Sequence, residues 1–173
     1  MLRNVPPSYT VAPNMTGRER VTADAAERGL DIEIVERIQA RSLEEAASIL
    51  GIAPSSIVKS LVVKRSDDTF LFALVPGDRQ IAWAKLRAVV GVNKLQLPSA
   101  EVALANTGYE RGTITPLGST TAWPVFADSR IVGQRITLGA GEHGLSAFVD
   151  ADALIAAYDA TVADITDELQ PRT

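Results

Sequence analysis

Cysteine is absent from this 173-residue chain, and histidine occurs once, at His143. The first absence removes disulfides, thiolate nucleophiles and cysteine-based metal sites together. With a single histidine, a metal site would have to be built from carboxylates, and the adjacent pair Asp67-Asp68 reads better as turn chemistry, so no metal and no other cofactor is expected. A Ser-His-Asp arrangement would need His143 beside a serine such as Ser146 with an acid behind it, and the local spacing does not indicate one. Long apolar runs are missing as well. No window approaches about 18 consecutive apolar residues, and the N-terminus carries one arginine and the pair Pro6-Pro7 in place of a signal-peptide core. The expectation is a cytoplasmic protein with no membrane partner.

An excess of positive charge is also lacking. The formal net charge is -4, which argues against broad duplex binding and hence against a DNA partner, because each neutralised phosphate needs a cation. The average conceals an asymmetry. Residues 51–140 hold 10 Lys/Arg against 6 Asp/Glu, while residues 1–50 hold 6 against 8 and residues 141–173 hold 1 against 7. A basic middle between acidic flanks suits contact with a short piece of nucleic acid, and equally suits ordinary scatter over a solvated surface.

What is present supports one folded unit. With 46% hydrophobic and 22% charged residues, the chain can bury a core, and its length matches a single domain. Residues 1–18, with Pro6, Pro7, Pro13 and Gly17 and no apolar periodicity, read as an extended or flexible arm, which leaves residues 19–173 as the domain. A helix is expected from Glu19 to Arg28, then an alternating strand from Ile32 to Ile38. Ser42 and Glu45 suggest a capping box for a helix ending at Gly51. The apolar runs Lys59–Lys64 and Thr69–Val75 form a hairpin candidate around Arg65–Asp68. A helix through Trp83–Val90, a short strand around Lys94–Leu97 and a helix from Ser99 to Asn106 follow, then strands near Trp123–Ala127, Arg135–Leu138 and Leu145–Val149, and a last helix from Asp150. Trp83 and Trp123 sit at apolar periodic positions and read as core in preference to base-stacking platforms. Without strict βαβ alternation, the class is α+β: a mixed, curved, partly barrel-like sheet flanked by helices.

Three stretches carry further information: IVKSLVVK at 57–64, TGYERGTITPLG at 107–118 and GEHGL at 141–145. In this order the chain resembles the YbaK/ProX family, which includes the editing domain inserted in some bacterial prolyl-tRNA synthetases. The similarity runs over roughly residues 28–168. It implies an aminoacyl-tRNA deacylase that acts in trans on mischarged tRNA, with the tRNA acceptor end as substrate and a synthetase as a further partner. By resemblance Lys59 holds the terminal adenosine phosphate, the loop around Gly112, Thr113 and Pro116 surrounds the aminoacyl carbonyl, and Ser60, Gly108, Thr115, Gly118, Gly141 and His143 contribute to substrate binding.

Physical chemistry allows these roles and simpler ones. A lysine opening a strand can lay its stem on the core and hold its ammonium at the rim, as a phosphate ligand or as a snorkelling surface lysine. Glycines let backbone approach a ligand, and the N–H groups of Gly112 and Thr113 could form a nest for a developing oxyanion; the same composition also builds a long structural turn. Where many family members have Lys-Arg, this chain has Glu142-His143. Where the Cys-tRNA branch places an aspartate after Gly-Leu, it has Ser146, and Ile32–Ile38 lacks that branch's tyrosine. The amino acid removed therefore stays open, and so do a non-catalytic tRNA- or synthetase-binding module and an unrelated esterase.

Overall fold

The computed structural model describes residues 14–37 and 40–170. Its elements run α1 (Gly17–Glu27), β1 (Ile32–Glu36), α2 (Leu43–Leu50), β2 (Val58–Arg65), β3 (Phe70–Pro76), β4 (Arg79–Ile81), α3 (Trp83–Val90), β5 (Leu95–Gln96), α4 (Ala100–Thr107), β6 (Val125–Asp128), β7 (Arg135–Gly139), β8 (Leu145–Asp150), α5 (Ala151–Tyr158), β9 (Thr161–Ala163) and β10 (Thr166–Glu168). Residues 1–13 of the expected arm, and Ile38 of the first expected strand, lie outside the described residues.

Local chemistry explains most boundaries. The Thr16 hydroxyl accepts the Glu19 N–H while the Glu19 carboxylate accepts the Thr16 N–H, and this reciprocal cap starts α1 two residues before the expected Glu19. At α2 the Ser42 hydroxyl accepts the Glu45 N–H as expected, but the Glu45 carboxylate reaches the Arg41 N–H instead of closing the box. Asp67 accepts both the N–H and the hydroxyl of Thr69, and this turn joins β2 to β3 in antiparallel register, Lys64 opposite Phe70.

The α+β architecture is as expected, but among the described residues the strands form three sheets, and none closes into a barrel. Five strands lie in the order β5-β2-β3-β6-β9, with β6 parallel to both neighbours; β1-β8-β7 is antiparallel, and β10 pairs with β4. Every residue of β3 (FLFALVP) is buried, so it alternates apolar groups into two cores. Phe72 and Leu74 meet α1, β7, β8 and α5 through Val21, Leu138, Val149 and Leu154. Leu71, Ala73 and Val75 meet Leu86 of α3 and Ile165 on the other face. Trp123 belongs with the first core: it packs 5.2 Å from Phe70, and its indole N–H donates to the Asn106 carbonyl.

Three short strands, β4, β9 and β10, have no counterpart in the sequence reading. Their pairing is held by partners remote in sequence: fully buried Asp128 accepts the Ile165 N–H and the Thr166 hydroxyl at 3.1 and 3.0 Å, and Arg130 and Lys85 both bind Asp164. Those two donors, Arg130 first, hold the Asp164 carboxyl at about 2. Among the described residues no helix is long and apolar enough to cross a membrane.

Candidate functional site

A cavity of about 430 Å³ lies where the first residues of β2 approach β7 and β8, beneath α2 and the entry to α4. Ala46 and Leu50 of α2, Val58 and Val62 of β2, and Leu138 of β7 make much of its wall apolar. The polar side chains on it are Arg37, Lys59, Ser60, Arg111, Thr137 and Ser146, and Gly112 adds bare backbone. Among the described residues no carboxylate lines it, so it suits an anionic or neutral ligand over a cationic one. Its size falls within the range of small-molecule sites.

Lys59 and Gly112, from segments about 50 residues apart in sequence, therefore share one cavity. The Lys59 ammonium donates to the Arg79 carbonyl, which occupies one of its three hydrogens and leaves two. Burial is the main influence on its proton affinity and lowers it, with partial opposition from Asp78 and Glu44. Gly112 stands at φ 92°, and among the described residues its N–H has no acceptor. His143 lies beside Gly112 but does not line the cavity: a Cβ added to Gly112 would lie 3.6 Å from its Cε1, and its Nε2 meets the Glu110 carboxylate at 3.2 Å.

Other expected ligand residues turn out to build the loop. The Thr113 N–H, expected beside that of Gly112 as an oxyanion donor, donates to the Glu110 carbonyl at 2.9 Å. The Thr113 carbonyl in turn receives the Gly141 N–H at 3.1 Å, and Gly141 packs against Gly17 and Tyr109, away from the cavity. Thr115 is fully buried, with its hydroxyl accepting the Leu117 N–H, and the buried Pro116 turns the chain so that its carbonyl accepts the Ser119 N–H. Neither lines the cavity.

Gly108 and Gly118 are gripped from behind by α1. Arg20, only 7% exposed, donates to the carbonyls of Gly118, Gly108 and Thr107, with distances from 2.6 to 3.1 Å, and stacks 4.4 Å above the Tyr109 ring. Asp24, 2% exposed, accepts the Gly118 N–H and the Tyr158 hydroxyl, both at 2.8 Å, and pairs with Arg28. The Tyr109 hydroxyl closes the loop on the Leu117 carbonyl at 2.6 Å. This scaffold leaves no room for a side chain at Gly118, where a Cβ would lie 2.5 Å from the Tyr109 hydroxyl and 2.7 Å from Arg20 backbone.

The two loop glycines should consequently respond differently to alanine. Gly118→Ala is expected to destabilise the fold by several kcal/mol, through a clash in a buried network at positive φ. Gly112→Ala has open space and should cost about 1–2 kcal/mol from its left-handed conformation alone. Chemical denaturation of the two variants reads the difference, and equal losses would contradict this division of roles.

Sequence reasoning missed Arg37, Arg111, Thr137 and Ser146 as cavity residues, and Arg20 and Asp24 as loop supports. Arg111 sat inside the quoted loop motif, immediately before Gly112, and that adjacency was a usable signal. Arg37 donates through Nε to the Ser146 hydroxyl at 3.0 Å, a link between β1 and β8 that only strand pairing brings about.

Comparison with known proteins bears on the chain as a whole. A proline–tRNA ligase of Bacillus velezensis is 30% identical over 131 residues, which cover 73% of this chain and 23% of the ligase. The chain spans less than a quarter of the length of such ligases. The Enterococcus faecalis protein EbsC, named as a Cys-tRNA(Pro)/Cys-tRNA(Cys) deacylase, is 28% identical over 126 residues, 72% of this chain and 77% of that protein. A crystal structure described as a trans-editing enzyme for prolyl-tRNA synthetase superposes with a TM-score of 0.81 at 26% identity, covering 91% of this chain and 99% of the other. Residues 38–157 match the model of the aminoacyl-tRNA editing domain, and with most of its length so matched this chain belongs to that family.

Proposed function

We propose that this protein hydrolyses the ester of mischarged aminoacyl-tRNA in trans, taking the acceptor end into the cavity shared by Lys59 and Gly112. That shared cavity is the observation that carries the reading. An aminoacyl ester is already activated, so its hydrolysis needs alignment and stabilisation of the tetrahedral oxyanion more than a strong nucleophile. The Gly112 N–H, without a protein acceptor, is the donor for that oxygen. The two remaining hydrogens of the Lys59 ammonium bind the phosphate of the terminal adenosine, and Arg37 and Arg111 add positive charge to the same wall. Substrate hydroxyls and bound water move the protons, and Pro116 and Thr113 hold the loop in shape. The setting is the cytoplasm, where tRNA is charged, beside or apart from a synthetase.

The experiment is a panel of aminoacyl-tRNAs, each incubated with purified protein and followed for amino-acid release. Release from at least one is the expected outcome. Binding of tRNA without release from any would instead favour a non-catalytic module of the same fold. Hydrolysis of simple esters that is indifferent to Lys59→Ala would point to unrelated esterase chemistry.

A pH profile adds a signed test. Burial lowers the proton affinity of Lys59, so the enzyme-dependent kcat/KM, after subtraction of spontaneous hydrolysis, should fall on an alkaline limb below the ordinary lysine range near about 10.4. In that same window the unfolded chain binds more protons than the folded one, so stability from this residue rises with pH while activity falls. Lys59→Met should abolish both trends, and an unchanged limb in that variant would exclude Lys59 as its origin.

A further inference from the structure

The Lys59 ammonium donates to a carbonyl on neither of the strands that pair with β2. Its acceptor, Arg79, lies on β4, a three-residue strand whose only strand partner among the described residues is β10. A two-stranded pair this short is marginal by itself, so side chains must fix the carbonyl in place. The Arg79 side chain does so across the pair: its Nε–H donates to the Thr166 hydroxyl at 2.7 Å, and its outer nitrogen donates to the Thr166 carbonyl at 3.3 Å. Thr166 is fully buried, and its hydroxyl in turn donates to the equally buried Asp128 at 3.0 Å. With Arg130 as a second donor to that hydroxyl at 3.4 Å, its one hydrogen and both lone pairs are engaged. A continuous chain of hydrogen bonds thus runs from the cavity's lysine to β10, which lies past residue 157, where the family match ends.

From this chain of contacts we infer that Arg79 and Thr166 are positioning residues for Lys59, and that the β4–β10 pair holds the lysine stem in one direction before substrate arrives. The inference rests on the deacylase reading and deepens it by giving the phosphate anchor a fixed support. Neither residue lines the cavity, so both act through Lys59 and not on substrate. A lysine stem is flexible, and an unsupported ammonium would lose rotamer freedom on meeting a phosphate. Holding the stem beforehand removes that cost from the binding step. The phosphate is remote from the bond that breaks, so its contact is equally strong in the ground and transition states, and the benefit falls on KM more than on kcat.

Thr166→Val removes the hydroxyl and keeps the backbone pairing with β4. For an aminoacyl-tRNA that the wild type hydrolyses, its KM should rise about tenfold with kcat within about twofold. Thr166→Ser retains the hydroxyl and should stay near the wild-type KM. Arg79→Met cuts the link at its other end, leaves the bond from Thr166 to Asp128 intact and should raise KM to a similar extent, so the test survives if Thr166→Val does not fold. A double-mutant cycle separates positioning from a merely structural role: in the Lys59→Ala background, Thr166→Val and Arg79→Met should each change kcat/KM by less than about twofold, because the group they position is gone. Melting curves fix a temperature at which every variant compared is folded. Equal losses with and without Lys59, or an unchanged KM in both variants, overturn the inference while leaving the deacylase reading intact. Release from no aminoacyl-tRNA of the panel by the wild type overturns both.

Discussion

Lys59→Ala is expected to lower kcat/KM for aminoacyl-tRNA hydrolysis by about 100-fold, equivalent to about 2.7 kcal/mol of transition-state binding, while the domain stays folded. Charge-assisted contacts to phosphate are strong because both partners are ionised, and no other lysine lines the cavity to replace this one. The fold should tolerate the change. Lys59 is half-buried, and alanine forfeits one hydrogen bond to the Arg79 carbonyl while also relieving the burial of an ammonium. Lys59→Arg restores charge as a planar fork where a compact ammonium had two free hydrogens, and should recover only part of the activity. Steady-state kinetics with thermal melts decide the matter: retention of kcat/KM within threefold in the alanine variant would remove Lys59 from the mechanism.

Arg20→Ala should lower stability by about 3 kcal/mol, together with a fall in kcat of tenfold or more. The guanidinium serves the carbonyls of Thr107, Gly108 and Gly118; alanine removes both bonds to the buried Gly118 carbonyl, while that of Thr107 keeps the Thr120 N–H. Arg20 touches no substrate in this account, so it acts as a positioning residue. The distinguishing readout is the split between constants: the loop donor at Gly112 acts on the oxyanion, so misplacing it lowers kcat, while KM, set largely by the phosphate anchor at Lys59, should move little. Arg20→Lys should not rescue, since an ammonium cannot span the carbonyls of Thr107, Gly108 and Gly118 in one fork. A variant that loses stability yet keeps full kcat at a temperature where it is folded would reduce Arg20 to a purely structural role.

These two residues also mark how far the primary structure could be read. Lys59 was legible because a cation opening an apolar β-branched run is a local pattern, and because the surrounding motif resembles a known family. Arg20 was not: within its own helix it is one charged residue among several, and α1 lies outside the stretch matched by the family. The same contrast holds for secondary structure. The helices capped by Ser42, Ser99 and Asp150, and the hairpin turning at Asp67, follow from side chains that bond backbone two or three residues away. The three-residue strands β4, β9 and β10 carry no period of their own and exist because a distant strand supplies their hydrogen bonds.

The glycine loop shows the division at single-residue scale. Its composition announced a backbone able to take positive φ, and Gly108, Gly112 and Gly118 all do so. Composition could not say that the Thr113 N–H is spent on Glu110 while that of Gly112 is not, nor that Gly118 is walled in by Tyr109 and Arg20. By itself, then, the chain's order of residues determined the α+β class, most element boundaries and the family, since each depends on short-range periodicity or contiguous motif. Tertiary structure alone decided which loop residues border the cavity and which are held by α1, because those facts depend on contacts between segments that the linear order keeps far apart.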